Sequence, residues 1–208
     1  MTQEGKEVYA PREAMILAQF QTVGRDLFTK GLVSSHSGNL SIRLGERLII
    51  TRRTSRLGCL EEHDLIETGI NKNDRNTPLA STELAVHRAI YRQTPALAIV
   101  HAHPPHAVAL SLTETEIAPI DTEGLSTVGR VPVLGWNMEV KPGGLADIIA
   151  RALGKHCVIV VHGHGSFAIG QILEEAHNYT AALEESCQVI CLLKSLQVGV
   201  PQKGIPKK

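Results

Sequence analysis

Four of the ten histidines in this 208-residue chain form two histidine-x-histidine pairs. His101 and His103 follow one apolar run, and His162 and His164 follow another. Side chains two residues apart on a β-strand point to the same face, so each pair can direct two imidazoles to one point. Imidazole suits zinc and similar divalent ions, and three protein ligands with one open position are typical of a catalytic site. The two pairs therefore predict a metal centre where two neighbouring strands end.

The spacing of the histidines leaves the third ligand open. Either His162 or His164 can complete the set, and His106, which follows two prolines, is a further candidate. A single histidine at the end of a strand is more often an ordinary polar residue than a ligand. The recurrence of the pair is what favours a metal.

The elements that must position these residues alternate between helices and strands. Apolar residues at helical spacing predict helices over 12–31, from 81 or 82 to about 93, and over 106–112, 143–153 and 172–196. Short apolar runs predict strands over 39–44, 47–51, 98–102, 130–135, 158–162 and 166–170, and residues 61–67 are predicted to form a short helix. This order indicates a mixed sheet with helices on its faces.

Length, charge and cysteine spacing limit the class of protein. The length fits a single domain over 1–208, with a core at about 12–196 and a loose tail at 197–208 that is rich in Pro, Gly and Lys. The chain has 21 Lys plus Arg and 21 Asp plus Glu, so its net charge is about zero. No overall positive field therefore favours binding to nucleic acid or to an anionic membrane. No segment has the pattern of a signal peptide or a membrane span. The four cysteines lack C-x-x-C spacing, so we expect reduced thiols in a cytoplasmic protein.

Four short motifs, in this order and spacing, resemble the class II aldolase/adducin family, whose members include fuculose-phosphate aldolases. The resemblance extends over about residues 12–196. The motifs are Ser-Gly-Asn-Leu-Ser at 37–41, Ser-Thr-Glu at 81–83, His-Ala-His-Pro at 101–104 and His-Gly-His-Gly at 162–165.

The resemblance implies a fold and a metal centre. Family members have three α/β/α layers around a mixed, mainly antiparallel sheet, and they commonly form homotetramers with active sites at subunit interfaces. The family's third metal ligand directly precedes a glycine. The resemblance therefore assigns the ligands of Zn²⁺, or of another divalent metal, to His101, His103 and His164.

The resemblance also implies a reaction. Glu83 matches the acidic residue that works as the general base, and Asn39, Ser81 and Thr82 match positions that bind the substrate phosphate or its neighbouring groups. The expected substrate is a small ketose 1-phosphate, similar to fuculose 1-phosphate, which is cleaved to dihydroxyacetone phosphate and an aldehyde. The metal would stabilise the enediolate that forms, and Glu83 would move the proton at the carbon beside the carbonyl.

Two segments depart from the family pattern. Glu123 stands where fuculose-phosphate aldolases have a tyrosine that protonates the leaving oxygen, and a protonated glutamate can serve as this acid if its pKa is raised. Arg52, Arg53 and Thr54 replace a turn of Pro, Ser or Thr, and Gly that binds phosphate. Since arginine is well shaped for phosphate or carboxylate, we expect the anion to be bound differently here.

Three functions remain open at this point. The first is the metal-dependent aldolase. The second is a sugar-phosphate dehydratase, because a glutamate near position 123 is similar to the methylthioribulose-1-phosphate dehydratase branch. The third is a non-catalytic interaction module like the adducin heads, which is disfavoured because every metal-ligand position is filled.

Overall fold

The computed structural model describes residues 12–135 and 144–196, and helices and strands alternate along these two ranges. The helices are α1 (Arg12–Thr29), α2 (Leu84–Gln93), α3 (Pro105–Ser111), α4 (Thr122–Thr127), α5 (Gly144–Leu153) and α6 (Leu173–Ser195). The strands are β1 (Asn39–Leu44), β2 (Arg47–Thr51), β3 (Leu65–Gly69), β4 (Ala98–Ala102), β5 (Glu116–Ile117), β6 (Val131–Leu134), β7 (Val158–Val161) and β8 (Gly165–Gly170).

The described strands form one sheet in the order β3-β2-β1-β4-β8-β7-β6-β5. Within it only β6 and β7 pair in parallel, and the other neighbours are antiparallel. The predicted mixed, mainly antiparallel sheet is therefore confirmed. At its centre, His101 of β4 lies opposite Asn39 of β1 on one side and Phe167 of β8 on the other.

Two apolar cores, one on each face of the sheet, produce three layers. Apolar residues of α1, α3 and α6 fill the first core, and those of α2 and α5 fill the second. Strand β4 supplies both cores because its side chains alternate. Val100 and Ala102 belong to the first core, and Ile99 belongs to the second. This alternation places His101 on the same face as Ile99, beneath α2.

The prediction of a short helix over residues 61–67 is wrong. A single 3-10 turn over Glu62–Asp64 leads directly into β3, which pairs with β2. Ile66 and Thr68 are buried while Glu67 is exposed, which is the alternation of a half-buried edge strand. The short elements β5 and α4 were not predicted either, and the predicted loose tail lies outside the described residues. In the two described ranges, no helix has the length and apolar character needed to cross a membrane.

Candidate metal centre and active site

His101 is held on the central strand in a defined orientation. Its ring stacks on Phe167, with centroids 4.1 Å apart and an interplanar angle of 17°. Its Nδ1 lies 2.9 Å from the carbonyl oxygen of Ser166. Because a carbonyl oxygen only accepts, Nδ1 carries the proton and donates it. The lone pair of Nε2 is therefore free to bind a metal, as is usual for histidine ligands oriented through their second nitrogen.

His103 and His164 bring two further imidazoles to the same point. The Nε2 atoms of His101 and His103 are 3.1 Å apart, and the available ligand atoms of all three residues lie within 4.8 Å of one another. Tetrahedral zinc with Zn–N distances of about 2.0–2.1 Å needs ligand atoms roughly 3.3 Å apart, so small ring rotations would complete the geometry. The donor set thus fits a divalent ion.

Desolvation keeps two of these imidazoles neutral. Burial, followed by the neighbouring rings of His103 and His164, holds the pKa of His101 well below its usual value. Burial and His164 lower the pKa of His103 to about 4. Neutral imidazole is the form that coordinates a metal, so these shifts favour binding near neutral pH.

The strand order determines which histidine of the second pair joins the group. The prediction that the two pairs follow neighbouring strands is wrong, because β8 lies between β4 and β7. His164 directly precedes β8 and is next to β4, whereas His162 follows β7, one strand farther away. Among the described residues, the group of three contains His164 and not His162. His106 is also outside it, and its Nδ1 lies 2.7 Å from Oε1 of Glu184.

A cavity of about 330 Å³ opens over the three histidines. It brings together all but one of the residues that the sequence predicted for the site. Sequence reasoning did not assign His36, Ser37, Gly38 and Ser55, although Ser37 and Gly38 belong to the first family motif. The predicted residues that line the cavity are Asn39, Arg52, Arg53, Thr54, Ser81, Thr82, Glu83, His101, His103 and His164.

The first strand carries, beside this cavity, a buried polar atom without a partner among the described residues. Asn39 is only 5% exposed, and its Oδ1 accepts no hydrogen bond from any described residue. Its position opposite His101 depends on Gly38, which has a φ of 76°. A Cβ at Gly38 would lie 2.8 Å from the carbonyl oxygen of His101, so only glycine allows this close approach.

Glu83 occupies the residue before α2 and is half-buried. Its backbone N donates a hydrogen bond to Oγ of Ser81 at 3.2 Å, and its carbonyl oxygen accepts from the backbone N of His87 at 3.1 Å. Ser81 is in turn anchored to the sheet, because its backbone N donates to the carbonyl oxygen of Thr51 at 3.1 Å. These contacts fix the backbone that carries the Glu83 carboxylate at the cavity.

A tight turn after β2 carries both cavity arginines. The backbone N of Arg52 donates to the carbonyl oxygen of Asp64 at 2.7 Å, and that of Ser55 donates to the carbonyl oxygen of Arg52 at 3.2 Å. Thr54 adopts a left-handed conformation with a φ of 64°, which glycine adopts far more easily than a β-branched residue. The guanidinium groups of Arg52 and Arg53 make no hydrogen bond or ion pair with any described residue.

Comparison with known proteins identifies the group to which this chain belongs. A sequence profile described as "Class II Aldolase and Adducin N-terminal domain" matches residues 18–191. The chain belongs to the class II aldolase and adducin family. The crystal structure of L-fuculose-1-phosphate aldolase from Thermus thermophilus is similar, with a TM-score of 0.83 and 36% sequence identity. The similarity covers 90% of this chain and 100% of that chain.

Two curated relatives have names that indicate other reactions. A probable bifunctional methylthioribose-1-phosphate isomerase/methylthioribulose-1-phosphate dehydratase of Nocardia farcinica is 28% identical over 209 residues. The match covers 90% of this chain but only 37% of that protein. The 3,4-dihydroxyphthalate decarboxylase of Arthrobacter keyseri is 31% identical over 181 residues, covering 79% of this chain and 71% of that protein. The family is therefore established, while the names of similar proteins indicate several different reactions.

Glu123 is the predicted site residue that this chain does not bring to the cavity. It is exposed on α4, where its Oε1 accepts a hydrogen bond from Oγ1 of Thr127 at 3.1 Å. The helix begins after Asp121, whose Oδ1 accepts from the backbone N of Gly124 at 2.7 Å. Glu123 is absent from the residues that line the cavity of its own chain. Its catalytic role stays a prediction.

A buried polar cluster beneath the centre was not predicted. Oγ of Ser41 lies 2.7 Å from both Nδ1 of His87 and the hydroxyl of Tyr91. The His87 ring meets the edge of Phe167, the residue that stacks on His101, at a centroid distance of 6.2 Å. Complete burial lowers the pKa of His87 to about 3. His87 has no second histidine two residues away, so the spacing rule that found the metal ligands gave no signal for it.

Proposed function

We propose that this chain is a metal-dependent aldehyde-lyase that cleaves or forms a carbon–carbon bond in a small ketose 1-phosphate such as fuculose 1-phosphate. One observation carries the proposal. His101, His103 and His164, Glu83, and two arginines that pair with no described residue line the same cavity. The similarity to the fuculose-1-phosphate aldolase of Thermus thermophilus over nearly the whole chain supports this reaction.

His101, His103 and His164 would hold the metal, and we propose zinc. When bound, the ion supplies Lewis acidity, which draws electrons from the substrate carbonyl. The three neutral ligands leave the positive charge of the ion uncompensated, which favours an anionic or carbonyl oxygen in the open position. Ser166 fixes the ligand tautomer of His101 through its carbonyl oxygen.

Glu83 is the proposed general base. In the direction of condensation it removes a proton from the carbon beside the carbonyl of dihydroxyacetone phosphate, and in the direction of cleavage it returns that proton. The hydrogen bond from its backbone N to Ser81 keeps the carboxylate at the cavity without occupying its oxygens.

The anionic end of the substrate would lie at the Arg52–Ser55 turn. Arg52 and Arg53 offer charge-assisted donors that no described residue uses. The hydroxyls of Thr54, Ser81 and Thr82 line the same cavity and would add neutral hydrogen bonds. Asn39 would donate from its amide, on the side where β1 meets β4.

Glu123 would act as the general acid that protonates the aldehyde oxygen. Since it does not line the cavity of its own chain, this role requires that α4 faces the cavity of a neighbouring copy. We therefore propose a homotetramer with shared active sites. The cytoplasmic location and the single domain over 1–208 likewise remain proposals.

The direct test is release of dihydroxyacetone phosphate from fuculose 1-phosphate by the zinc-loaded protein. Glu83→Gln is expected to lower kcat by a factor of about 100 or more, because general acid–base catalysis typically contributes that much. Glu174→Gln is the matched control, since Glu174 is an exposed carboxylate in the first turn of α6 and does not line the cavity. A wild-type protein that releases no triose phosphate and no aldehyde would remove the aldolase proposal.

Decarboxylation is the second candidate, and the arginine pair favours it. A substrate carboxylate binds arginine as readily as a phosphate does, and the decarboxylase of Arthrobacter keyseri is 31% identical to this chain. The same cavity would polarise a carbonyl while carbon dioxide leaves in place of an aldehyde. Release of carbon dioxide from 3,4-dihydroxyphthalate, without any aldolase activity, would favour this candidate.

Dehydration is favoured by a single position. Glu123 replaces the tyrosine expected in fuculose-phosphate aldolases, and the Nocardia farcinica relative has dehydratase in its name. Loss of water from methylthioribulose 1-phosphate is the assay. A protein that binds no zinc and acts on none of these substrates would leave the non-catalytic, adducin-like role.

A further inference from the structure

Outside the cavity, a buried carboxylate holds α3, the short helix between the segment of His103 and the turn that carries His164. Glu184 lies on α6 and is 9% exposed. Burying a carboxylate is costly unless several donors surround it, and Glu184 has them. Its oxygens accept from the backbone N of His106 at 3.0 and 3.1 Å, from Nδ1 of His106 at 2.7 Å and from the backbone N of Ala107 at 3.0 Å.

The local sequence explains why this contact comes from a distant helix. The residue before α3 is usually Ser, Thr, Asp or Asn, whose side chain accepts from the first free amides. Here that residue is Pro104, which has no acceptor side chain, and Pro105 follows. The amides of His106 and Ala107 would therefore lack a partner. Glu184, 78 residues away along the chain, takes the place of the missing local cap.

The start of α3 lies directly after a metal ligand. His103 precedes Pro104, and its backbone N donates to the carbonyl oxygen of Leu32 at 2.8 Å. The segment between His103 and His106 is thus held at both ends, by Leu32 on one side and by Glu184 on the other. Any shift of α3 along α6 would be transmitted to the His103 ring.

The other end of α3 holds the turn that carries the third ligand. Oγ of Ser111 accepts a hydrogen bond from the backbone N of Gly163 at 2.9 Å and donates to the carbonyl oxygen of Val108 at 2.6 Å. Gly163 immediately precedes His164 and has a φ of 64°. One short helix therefore connects the segments of His103 and His164, and Glu184 is the side chain that fixes it to α6.

We propose that Glu184 is a positioning residue of the metal centre, which sets metal affinity by fixing α3 and, through it, His103 and His164. The inference rests on the proposed metal-dependent function. It differs from a simple capping role, because a cap would contribute to folding stability alone. A positioning role also changes how well the folded protein binds the ion.

The test compares three variants by the Zn²⁺ affinity of the folded, metal-free protein, measured by competition with a chelator. Glu184→Gln keeps the shape and one acceptor oxygen but places an amide donor against the donors of α3. Partners outside the ligand shell typically change metal affinity 10- to 100-fold, so we expect about 10-fold weaker Zn²⁺ binding. Glu185→Gln is the control. The Glu185 carboxylate is exposed and, among the described residues, contacts only Lys30, at 3.4 Å. The Zn²⁺ affinity of Glu185→Gln should therefore stay within about twofold of the wild-type value.

Ser111→Ala is the second variant, and it removes a single hydroxyl at the opposite end of α3. It is also expected to weaken Zn²⁺ binding, and it tests the same connection if Glu184→Gln does not fold. The free energy of unfolding of each metal-free variant is measured in parallel. If Glu184→Gln lowers this free energy but binds Zn²⁺ as tightly as the wild type, Glu184 is only a cap and the proposal is wrong.

The outcomes separate this proposal from the proposed function. A wild-type protein that binds Zn²⁺ but catalyses none of the tested reactions would remove the lyase and leave the role of Glu184 intact. Unchanged Zn²⁺ affinity in both Glu184→Gln and Ser111→Ala would overturn the positioning role and leave the lyase intact. A wild-type protein without Zn²⁺ affinity would overturn both.

Discussion

Thr54 offers a stability test of the turn that carries the cavity arginines. It has a φ of 64°, where a non-glycine residue costs roughly 1–2 kcal/mol because its Cβ crowds the following carbonyl oxygen. Glycine removes this strain, but it makes the unfolded chain more flexible, which lowers the free energy of unfolding by roughly 0.5–1 kcal/mol. Alanine keeps the strain. Both substitutions remove the same hydroxyl, which donates to the carbonyl oxygen of Arg53 at 2.6 Å.

The two variants therefore differ by strain and entropy alone. Subtracting the central values, we expect Thr54→Gly to be more stable than Thr54→Ala by roughly 0.75 kcal/mol. For a chain of this size, that difference moves the midpoint of urea unfolding by roughly 0.3 M. The measurement is made on metal-free protein, because a bound ion would add its own stabilisation. A Thr54→Ala protein as stable as Thr54→Gly, or more so, would refute the strained turn.

The remaining predictions concern the ligand set, the pH dependence and the second carboxylate. Metal analysis after dialysis should find about one zinc per chain in the wild type and in His162→Ala, but almost none in His164→Ala, and equal loss in both variants would contradict the ligand set. Burial lowers the pKa of His87 to about 3, so between pH 6.5 and 3 the unfolded chain binds more protons than the folded one. The contribution of neutral His87 to the free energy of unfolding is therefore complete above pH 6.5. It decreases as the pH falls from 6.5 to 3, by at most roughly 5 kcal/mol. His87→Asn should flatten this part of the pH profile of the free energy of unfolding, and an unchanged slope would show that His87 does not titrate on unfolding. If Glu123 serves a neighbouring subunit, mixing inactive Glu83→Gln and Glu123→Gln proteins under subunit exchange should restore activity, and mixtures that stay inactive would speak against shared sites.

Local patterns were sufficient to predict most elements, because hydrophobic periodicity reports directly on which side chains face a core. Strand β4 is the clearest example. Side chains two residues apart on a strand were expected to point to the same place, and the ring nitrogens of His101 and His103 do meet, 3.1 Å apart. The same reasoning failed for residues 61–67, which were predicted to form a short helix and whose last three residues belong to β3. Pairing with β2 made this segment an edge strand, and pairing partners cannot be seen in a local pattern.

Contacts between distant segments account for what the sequence did not predict. The position of β8 between the two histidine-bearing strands selects His164 over His162, and this order depends on the path of the whole chain. In the sequence, Glu184 reads as one more polar residue of a long helix. Nothing near it in the chain indicates that it caps α3. His87 gives no local signal for a similar reason. Its partner Ser41 is 46 residues away, and the two meet only when α2 packs on β1.

Among the residues that line the cavity, those that match the family and those that depart from it come from different segments of the chain. The matching histidines come from β4 and the β7–β8 turn, and Glu83 comes from the start of α2. The departures Arg52, Arg53 and Thr54 all lie on the single turn after β2. Thr54 has a positive φ within this turn, and the guanidinium groups of Arg52 and Arg53 pair with no described residue, so the turn is suited to bind an anion; strain of this kind is usually retained where it serves function. We therefore expect this protein to keep the metal-assisted chemistry of its family and to differ from the fuculose-phosphate aldolases in the anionic group of the substrate that it recognises.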